Sequence, residues 1–275
     1  MVKIVSWKDF KEVTKTTDVG WYFKPCRPIA FILVNIAMFL GLSANTVSWI
    51  SVVCIVIGCI LISVFTNPFL IFLGFLFYFL RFLLDISDGT VARLTGVFSS
   101  KGLLIDYFGH SLELRFLFFS VTLLSFRLSQ NIYVLLIGFA VVTILSCKHV
   151  IEGQIHSGFI YDVFIQNDKE KFKTRLNRLR SEVGSQVINK VGNYRESIII
   201  QLVWGYPTIV LLFTLAYIFH LSFGYWWSLP LMLTGYCFAY LAFLPLYMVF
   251  MYRNFEKKWL YYIKRIQDID INEKL

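Results

Sequence analysis

Six long apolar segments, each of about 20 residues or more, limit what this chain of 275 residues can fold into. A helix needs about 20 predominantly apolar residues to cross the ~30 Å hydrocarbon core of a membrane. The hydrophobic content of 57% also exceeds that of most soluble domains. We therefore predict an all-α integral membrane protein with six transmembrane helices. The expected spans are approximately 45–65, 68–92, 100–126, 131–151, 197–219 and 226–252.

A shorter apolar stretch, residues 29–42, follows a polar leader. It is too short to cross a membrane comfortably, so we expect an N-terminal helix that lies at the interface. Three regions are thus predicted: a cytoplasmic leader with an interfacial helix over 1–44, a six-helix domain over 45–252, and a basic cytoplasmic tail over 253–275.

The net charge of +9 is concentrated in the leader, the tail and a basic loop, residues 166–195. With six spans, these basic regions all fall on one side of the membrane, and the positive-inside rule makes that side cytoplasmic. The charge is therefore explained by topology and by attraction to anionic membrane lipids. We do not expect a nucleic-acid partner, and we expect the protein in a bacterial cell (inner) membrane.

Residues 83–113 carry an unusual concentration of charge for a membrane protein. At helical spacing, one face of the second span carries Asp85, Asp88, Gly89, Ala92 and Arg93. One face of the third span carries Gly102, Asp106 and His110. The connection over 94–101 is short enough to make the two spans antiparallel neighbours, so the two faces can share a cavity near the cytoplasmic side.

Three carboxylates so close together repel one another unless cations neutralise them. Oxygen ligands favour hard divalent ions, so Mg²⁺ or Mn²⁺ is the expected cofactor. Arg93 suits a phosphate group, and Gly89 and Ala92 leave room for a ligand beside the backbone. This combination indicates a phosphate-ester substrate. The alternative is a buried ion-pair network that only joins two helices, although ionisable groups inside membranes are usually functional.

The pattern resembles the signature of the CDP-alcohol phosphotransferase (CDP-alcohol phosphatidyltransferase) family, D-x₂-D-G-x₂-A-R-x₈-G-x₃-D-x₃-D. Every position matches except the last, where His110 replaces an aspartate. The stretch GLSANTVSWISVV is also similar to the entry of the family's first span. It retains Asn45 and Ser48, and Ala44 stands where proline is usual.

The resemblance implies an enzyme that transfers a phosphoalcohol group from a CDP-alcohol to a hydroxyl acceptor and releases CMP. It implies a homodimer with a cavity that faces the cytoplasm and binds the CDP-linked alcohol through two divalent metals. The implied metal ligands are Asp85, Asp88, Asp106 and His110. The implied CDP-binding residues are Asn45, Ser48, Asp85, Gly89, Ala92, Arg93 and Gly102. The implied catalytic residues are His110 and Asp106.

His110 is the departure from the family pattern. A neutral imidazole can accept the acceptor's proton or ligate a divalent ion, but it removes one negative charge, so a second metal should bind more weakly or not at all. A one-metal mechanism and an inactive site are the alternatives. Glu113 can orient His110 or pair with Arg81, and we favour the pair with Arg81.

The acceptor is expected to be a lipid, in phospholipid synthesis, or alternatively a polyol, sugar or glycan. Lys148 and Arg195 are the candidate acceptor-binding residues, although cations near membrane ends also extend to the interface without a special role. Two other functions remain open: a non-catalytic membrane subunit that binds CDP or metal, and a transporter that uses the aspartates for cations.

Overall fold

The computed structural model describes residues 5–14, 23–97, 99–160 and 205–249, and the regular structure in these ranges is helical. The N-capping side chains of Ser43, Asn67 and Ser99 begin the third, fourth and fifth helices, because each accepts a backbone N–H that the helix leaves unpaired. The helices are α1 (Trp7–Thr14), α2 (Phe23–Phe39), α3 (Ala44–Val64), α4 (Pro68–Thr95), α5 (Ser100–Ser129), α6 (Ile132–Ile160), α7 (Tyr206–Phe223) and α8 (Ser228–Val249).

Four of these helices, α3, α4, α7 and α8, are long and apolar enough to cross a membrane. The apolar part of α6, Ile132–Lys148, is shorter, and α5 contains the charged residues that follow Gly102. The predicted all-α, multi-pass membrane architecture is therefore confirmed, while the number of six spans stays a prediction. The basic loop 166–195 and the tail 253–275 lie outside the described residues.

The N-terminal helices pack through aromatic rings. The rings of Trp7, Phe10 and Phe31 lie 5.0–5.4 Å apart, and the backbone N–H of Val5 donates to Asn35 at 2.8 Å. The helix that we expected over 29–42 is α2, which begins earlier, at Phe23, and ends at Phe39. Its interfacial location stays a prediction.

Helices α3 and α4 approach closely where two glycines face each other. A Cβ atom on Gly58 would lie 2.9 Å from the carbonyl oxygen of Gly74, and one on Gly74 would lie 2.7 Å from Ile62 Cγ1. Small residues of this kind let helix backbones pack tightly inside a membrane. This contact determines how α4, which carries most of the signature residues, is oriented on α3.

Helix α5 lies beside α3 at both ends. At its start, Ser99 Oγ donates to Asn45 Oδ1 at 3.0 Å. At its end, the guanidinium of Arg127 donates to the carbonyl oxygens of Ile62 and Val64 at 2.6 and 3.0 Å. The two helices therefore run in the same direction over a similar length.

The contacts within the chain form two units. Helices α1 to α5, α7 and the first parts of α6 and α8 belong to the first unit, which contains the signature residues. In that unit, Tyr206 at the start of α7 donates its hydroxyl to the carbonyl oxygen of Tyr78 on α4, at 2.9 Å. In the second unit, the ammonium of Lys148 lies 5.6 Å from the ring centroid of Tyr247.

Candidate active site

A cavity of about 490 Å³ lies where the start of α3, the end of α4 and the start of α5 meet. Helix α4 ends at Gly96, whose left-handed backbone (φ 68°) lets the chain turn at once toward α5. The cavity is lined by Ala44, Asn45, Ser48, Asp88, Gly89, Ala92, Arg93, Val97, Ser99, Gly102 and Asp106. Six of the seven residues expected to bind CDP are among them, and Asp85 is the one that is not.

Asn45 reaches the cavity because Gly102 has no side chain. A Cβ atom at position 102 would lie only 2.5 Å from Asn45 Oδ1. Ser99 holds both neighbours in place: its hydroxyl donates to Asn45 Oδ1 at 3.0 Å and accepts the N–H of Gly102 at 2.9 Å. One hydroxyl thus caps α5 and orients an amide that lines the cavity.

Asp88 is the most buried of the three signature aspartates, at 8% exposure. Ser48 on α3 donates its hydroxyl to Asp88 Oδ2 at 2.5 Å. A buried carboxylate is costly without such a partner. The two residues, 40 positions apart, therefore join α3 to α4 at the wall of the cavity.

Arg93 lies in the last turn of α4 and lines the cavity. Its guanidinium lies back along the helix, with Nη2 3.4 Å from Thr90 Oγ1. A Cβ atom on Gly89 would lie 3.3 Å from Nη1, so glycine leaves room for the guanidinium. Arg93, the arginine of the family signature, therefore lies beside the cavity, where it can bind a phosphate group.

A charged network adjoins the cavity and joins α4 to α5. Arg81, which is 1% exposed, lies 2.6 Å from Asp85 through Nη1 and 3.0 Å from Glu113 through Nε. His110 Nε2 lies 3.3 Å from Asp106 Oδ1 and 3.6 Å from Asp85 Oδ1. Arg81 on α4 contacts Glu113 on α5, whereas Asp85, which comes later on α4, contacts His110, which comes earlier on α5. The two helices are therefore antiparallel, as predicted.

Glu113 makes both of the contacts that were considered as alternatives. Its Oε2 atom faces Arg81, and its Oε1 atom lies 3.2 Å from His110 Nδ1. Gly109 makes room for this arrangement, because a Cβ atom there would lie 3.2 Å from Arg81 Nη2. The favoured pairing with Arg81 is present, and it does not exclude the contact with the imidazole.

The donor atoms suit a divalent cation. Asp85, Asp106 and His110 each offer one ligand atom, and these atoms lie within 4.8 Å of one another. Carboxylate oxygens suit Mg²⁺ and Mn²⁺, while an imidazole nitrogen suits softer ions. Asp85 is already paired with Arg81, which lowers the negative charge of the group. The residues therefore fit one cation at this cluster, and Asp88, the fourth expected ligand, lies at the cavity wall.

The two candidate acceptor-binding residues are not among the described residues that line this cavity. Lys148 belongs to the second unit, where it lies over the ring of Tyr247. Arg195 lies outside the described residues.

Ser99 is the residue that the sequence analysis missed. It lines the cavity and orients Asn45, although it lies outside the family signature. A serine three residues before Gly102, just after a turn, is typical of an N-cap. That pattern predicts the cap but not the bond to a residue 54 positions away.

The sequence model of the CDP-alcohol phosphatidyltransferase family matches residues 28–174, just over half of the chain. The match includes the whole signature and begins inside α2. No curated protein matches the chain significantly. With the signature residues gathered around one cavity and the family model covering this region, the chain belongs to the CDP-alcohol phosphatidyltransferase family.

Proposed function

We propose that this protein transfers a phosphoalcohol group from a CDP-alcohol to a hydroxyl acceptor, releases CMP, and thereby makes a phospholipid. One observation carries the proposal: six of the eight signature residues line a single cavity, and the other two, Asp85 and His110, adjoin Asp106. A purely structural ion-pair network would account for Arg81 and Glu113. It would not account for Asp88, Arg93 and Asp106 around a space that can hold a nucleotide.

In the proposed reaction, the acceptor oxygen forms a bond to the β-phosphorus, and the bond from that phosphorus to the CMP oxygen breaks. His110 Nε2 takes the hydroxyl proton, because a neutral imidazole nitrogen within reach of a hydroxyl can act as a general base. Arg93 binds the phosphates, and Asn45 and Ser48 hydrogen-bond the phosphate or ribose. The alternative assignment of roles exchanges these two residues: His110 Nε2 is a metal ligand, and Asp106 takes the proton.

Asp85, Asp88 and Asp106 are the proposed ligands for Mg²⁺ or Mn²⁺, and His110 is a fourth ligand when Asp106 takes the proton. A bound divalent cation would neutralise phosphate charge and favour departure of CMP. The chain's own contribution is to hold the carboxylates beside the cavity: Ser48 holds Asp88, and Arg81 holds Asp85.

The test has two stages. We expect CDP with Mg²⁺ or Mn²⁺ to raise the Tm of the purified protein, and we expect Asp88→Asn to abolish that shift. CMP release is then measured with CDP-alcohol donors over lipid, polyol and sugar acceptors. A Tm shift with no CMP release over any acceptor would indicate a non-catalytic binding subunit. No CDP-dependent shift under any metal condition would contradict the family-based mechanism.

Lys148 and Arg195 are proposed to bind the acceptor. The position of Lys148 over Tyr247 supports a preformed cationic group in the second unit. We expect Lys148→Gln to raise KM for an anionic acceptor and to leave KM for the CDP-alcohol unchanged. An unchanged KM for the anionic acceptor, or an equal rise in KM for both substrates, would contradict the assignment.

We also propose six membrane spans, in a domain over 45–252 that lies between the leader (1–44) and the tail (253–275). The cavity would face the cytoplasm of a bacterial cell. The protein would be a homodimer. The contacts of α5 with both ends of α3 support α5 as a span, because α3 is long and apolar enough to cross. The basic loop 166–195 supports the cytoplasmic side. Mass measurement of the protein in detergent tests the dimer.

A further inference from the structure

Glu113 divides its two carboxylate oxygens between different partners. Oε2 lies 3.0 Å from Arg81 Nε, and Oε1 lies 3.2 Å from His110 Nδ1. The Glu113 side chain is only 10% exposed, and Arg81 is 1% exposed. A carboxylate in such a place is stabilised by a buried cation, yet one oxygen would suffice for that pairing. The second oxygen is directed at the imidazole.

The distances around His110 Nδ1 indicate which of its two neighbours it bonds. Nδ1 has two polar neighbours, Glu113 Oε1 at 3.2 Å and Arg81 Nη2 at 3.4 Å. A carboxylate oxygen can only accept, so the shorter contact is a hydrogen bond when Nδ1 bears the hydrogen. Arg81 Nη2 can only donate, so it would bond an Nδ1 that bears no hydrogen, and its contact is the longer of the two. Glu113 is therefore the stronger candidate partner of Nδ1.

With Nδ1–H directed at Glu113, the other ring nitrogen faces the reaction centre. Nε2 lies 3.3 Å from Asp106 Oδ1 and 3.6 Å from Asp85 Oδ1. The His110 side chain is 47% exposed, so the orientation of the ring depends on its polar contacts, and Glu113 provides the shorter of the two at Nδ1.

We propose that Glu113, anchored by Arg81, is a positioning residue that accepts the Nδ1–H of His110 and thereby directs Nε2 to the Asp85–Asp106 side of the ring. This inference rests on the proposed function for its kinetic consequence, although the hydrogen bond itself does not. Carboxylates that orient histidines in this way commonly change activity or metal affinity by about 10- to 100-fold. The rival explanation is that Glu113 only neutralises Arg81 and joins α4 to α5.

A kinetic cycle separates these two roles. Glu113→Gln is measured in the wild-type protein and in His110→Asp, which restores the aspartate of the family signature and has no ring to orient. We expect Glu113→Gln to lower kcat by about 10- to 100-fold in the wild type, with little change in KM for the CDP-alcohol. In His110→Asp, the same change should alter kcat by no more than about twofold, as for independent sites.

The matched control is Glu12→Gln, the same chemical change on the exposed side of α1, which should leave kcat and Tm unchanged. Glu113→Gln should lower Tm in both backgrounds, because Arg81 loses a charged partner in each. An equal loss of kcat in both backgrounds would show that Glu113 acts through Arg81 alone and would overturn the proposal.

A second measurement does not need turnover. In the full-length protein labelled with [¹⁵N]histidine, with Mg²⁺ and CDP present, the resonance lost in His110→Asp identifies His110. We expect its Nδ1 to be protonated, and we expect Glu113→Gln to shift that resonance while Glu12→Gln does not. An unprotonated Nδ1 would assign the bond to Arg81 and overturn the inference. If wild-type protein releases no CMP, the proposed function fails, and the ¹⁵N result still decides the inference.

Discussion

Gly102 shows how a missing side chain can matter more for binding than for stability. A Cβ atom there would lie 2.5 Å from Asn45 Oδ1 and 3.2 Å from Ser99 Oγ. Both atoms are ends of side chains, so they can move without displacing a helix. A side chain at position 102 should therefore disrupt the hydrogen bond between Ser99 and Asn45 and leave the packing of α5 against α3 nearly unchanged.

We accordingly expect Gly102→Ala to weaken CDP binding by about two- to tenfold, the equivalent of one hydrogen bond of about 0.5–1.5 kcal/mol. Its Tm without ligand should change little. The control is Gly235→Ala, a helical glycine whose Cβ would have no atom within 4 Å. Titration calorimetry or CDP-dependent Tm shifts measure the effect. Unchanged CDP affinity in Gly102→Ala would contradict the role given to Asn45.

Ser99 combines a cap and a cavity contact, and a second capping serine allows the two to be separated. Ser43 caps α3 through the N–H of Thr46 at 3.2 Å and does not line the cavity. We expect Ser99→Ala and Ser43→Ala each to cost about 1 kcal/mol of stability. Only Ser99→Ala should also weaken CDP binding. A similar loss of CDP affinity in both variants would mean that helix ends, and not Asn45, control binding.

At the scale of helices, the close packing of α3 and α4 depends on glycine backbones. A Cβ atom on Gly74 would meet Ile62 Cγ1 at 2.7 Å and the carbonyl oxygen of Gly58 at 3.0 Å. A backbone atom cannot rotate away, so the helices themselves would have to separate. The two helices also share the bond from Ser48 to Asp88, at the cavity end of the pair.

We expect Gly74→Ala to lower stability by about 1–3 kcal/mol, as overpacking does, despite the higher helix propensity of alanine. Thermal unfolding in detergent measures the loss, and Gly235→Ala again provides the control, with an unchanged or slightly higher Tm. CDP affinity of the folded protein should be nearly unchanged, since the cavity lies at the opposite end of α3. A normal Tm for Gly74→Ala would contradict the close contact.

For the whole molecule, the central question is whether α5 crosses the membrane despite its charged residues. Its start lies beside the start of α3, through Ser99 and Asn45, and its end lies beside the end of α3, through Arg127 and Val64. If α3 crosses the membrane, a helix that lies beside both of its ends would cover the same thickness. Two of the charged residues of α5, His110 and Glu113, face Asp85 and Arg81 on α4.

Labelling with a membrane-impermeant maleimide tests this topology in intact cells. In a Cys147→Ser background, which removes the exposed cysteine among the described ones, we expect Thr66→Cys and Gln130→Cys to be labelled from outside. Val97→Cys should react only after permeabilisation. If Gln130→Cys behaves like Val97→Cys, α5 does not cross. If Val97→Cys is labelled from outside, the proposed orientation is reversed.

The sequence by itself determined the class of this protein and its family. Apolar segments of about 20 residues predict helices, because a helix satisfies all its backbone hydrogen bonds within the segment, as lipid requires. Helical spacing correctly gathered Asp88, Gly89, Ala92 and Arg93 on one face. Only the tertiary structure decided that Asp85 pairs with Arg81, that Ser99 orients Asn45, and that Glu113 serves both Arg81 and His110. Periodicity places residues on a face, but the rotation and depth of one helix against another depend on packing between residues distant in the chain, such as Gly58 and Gly74.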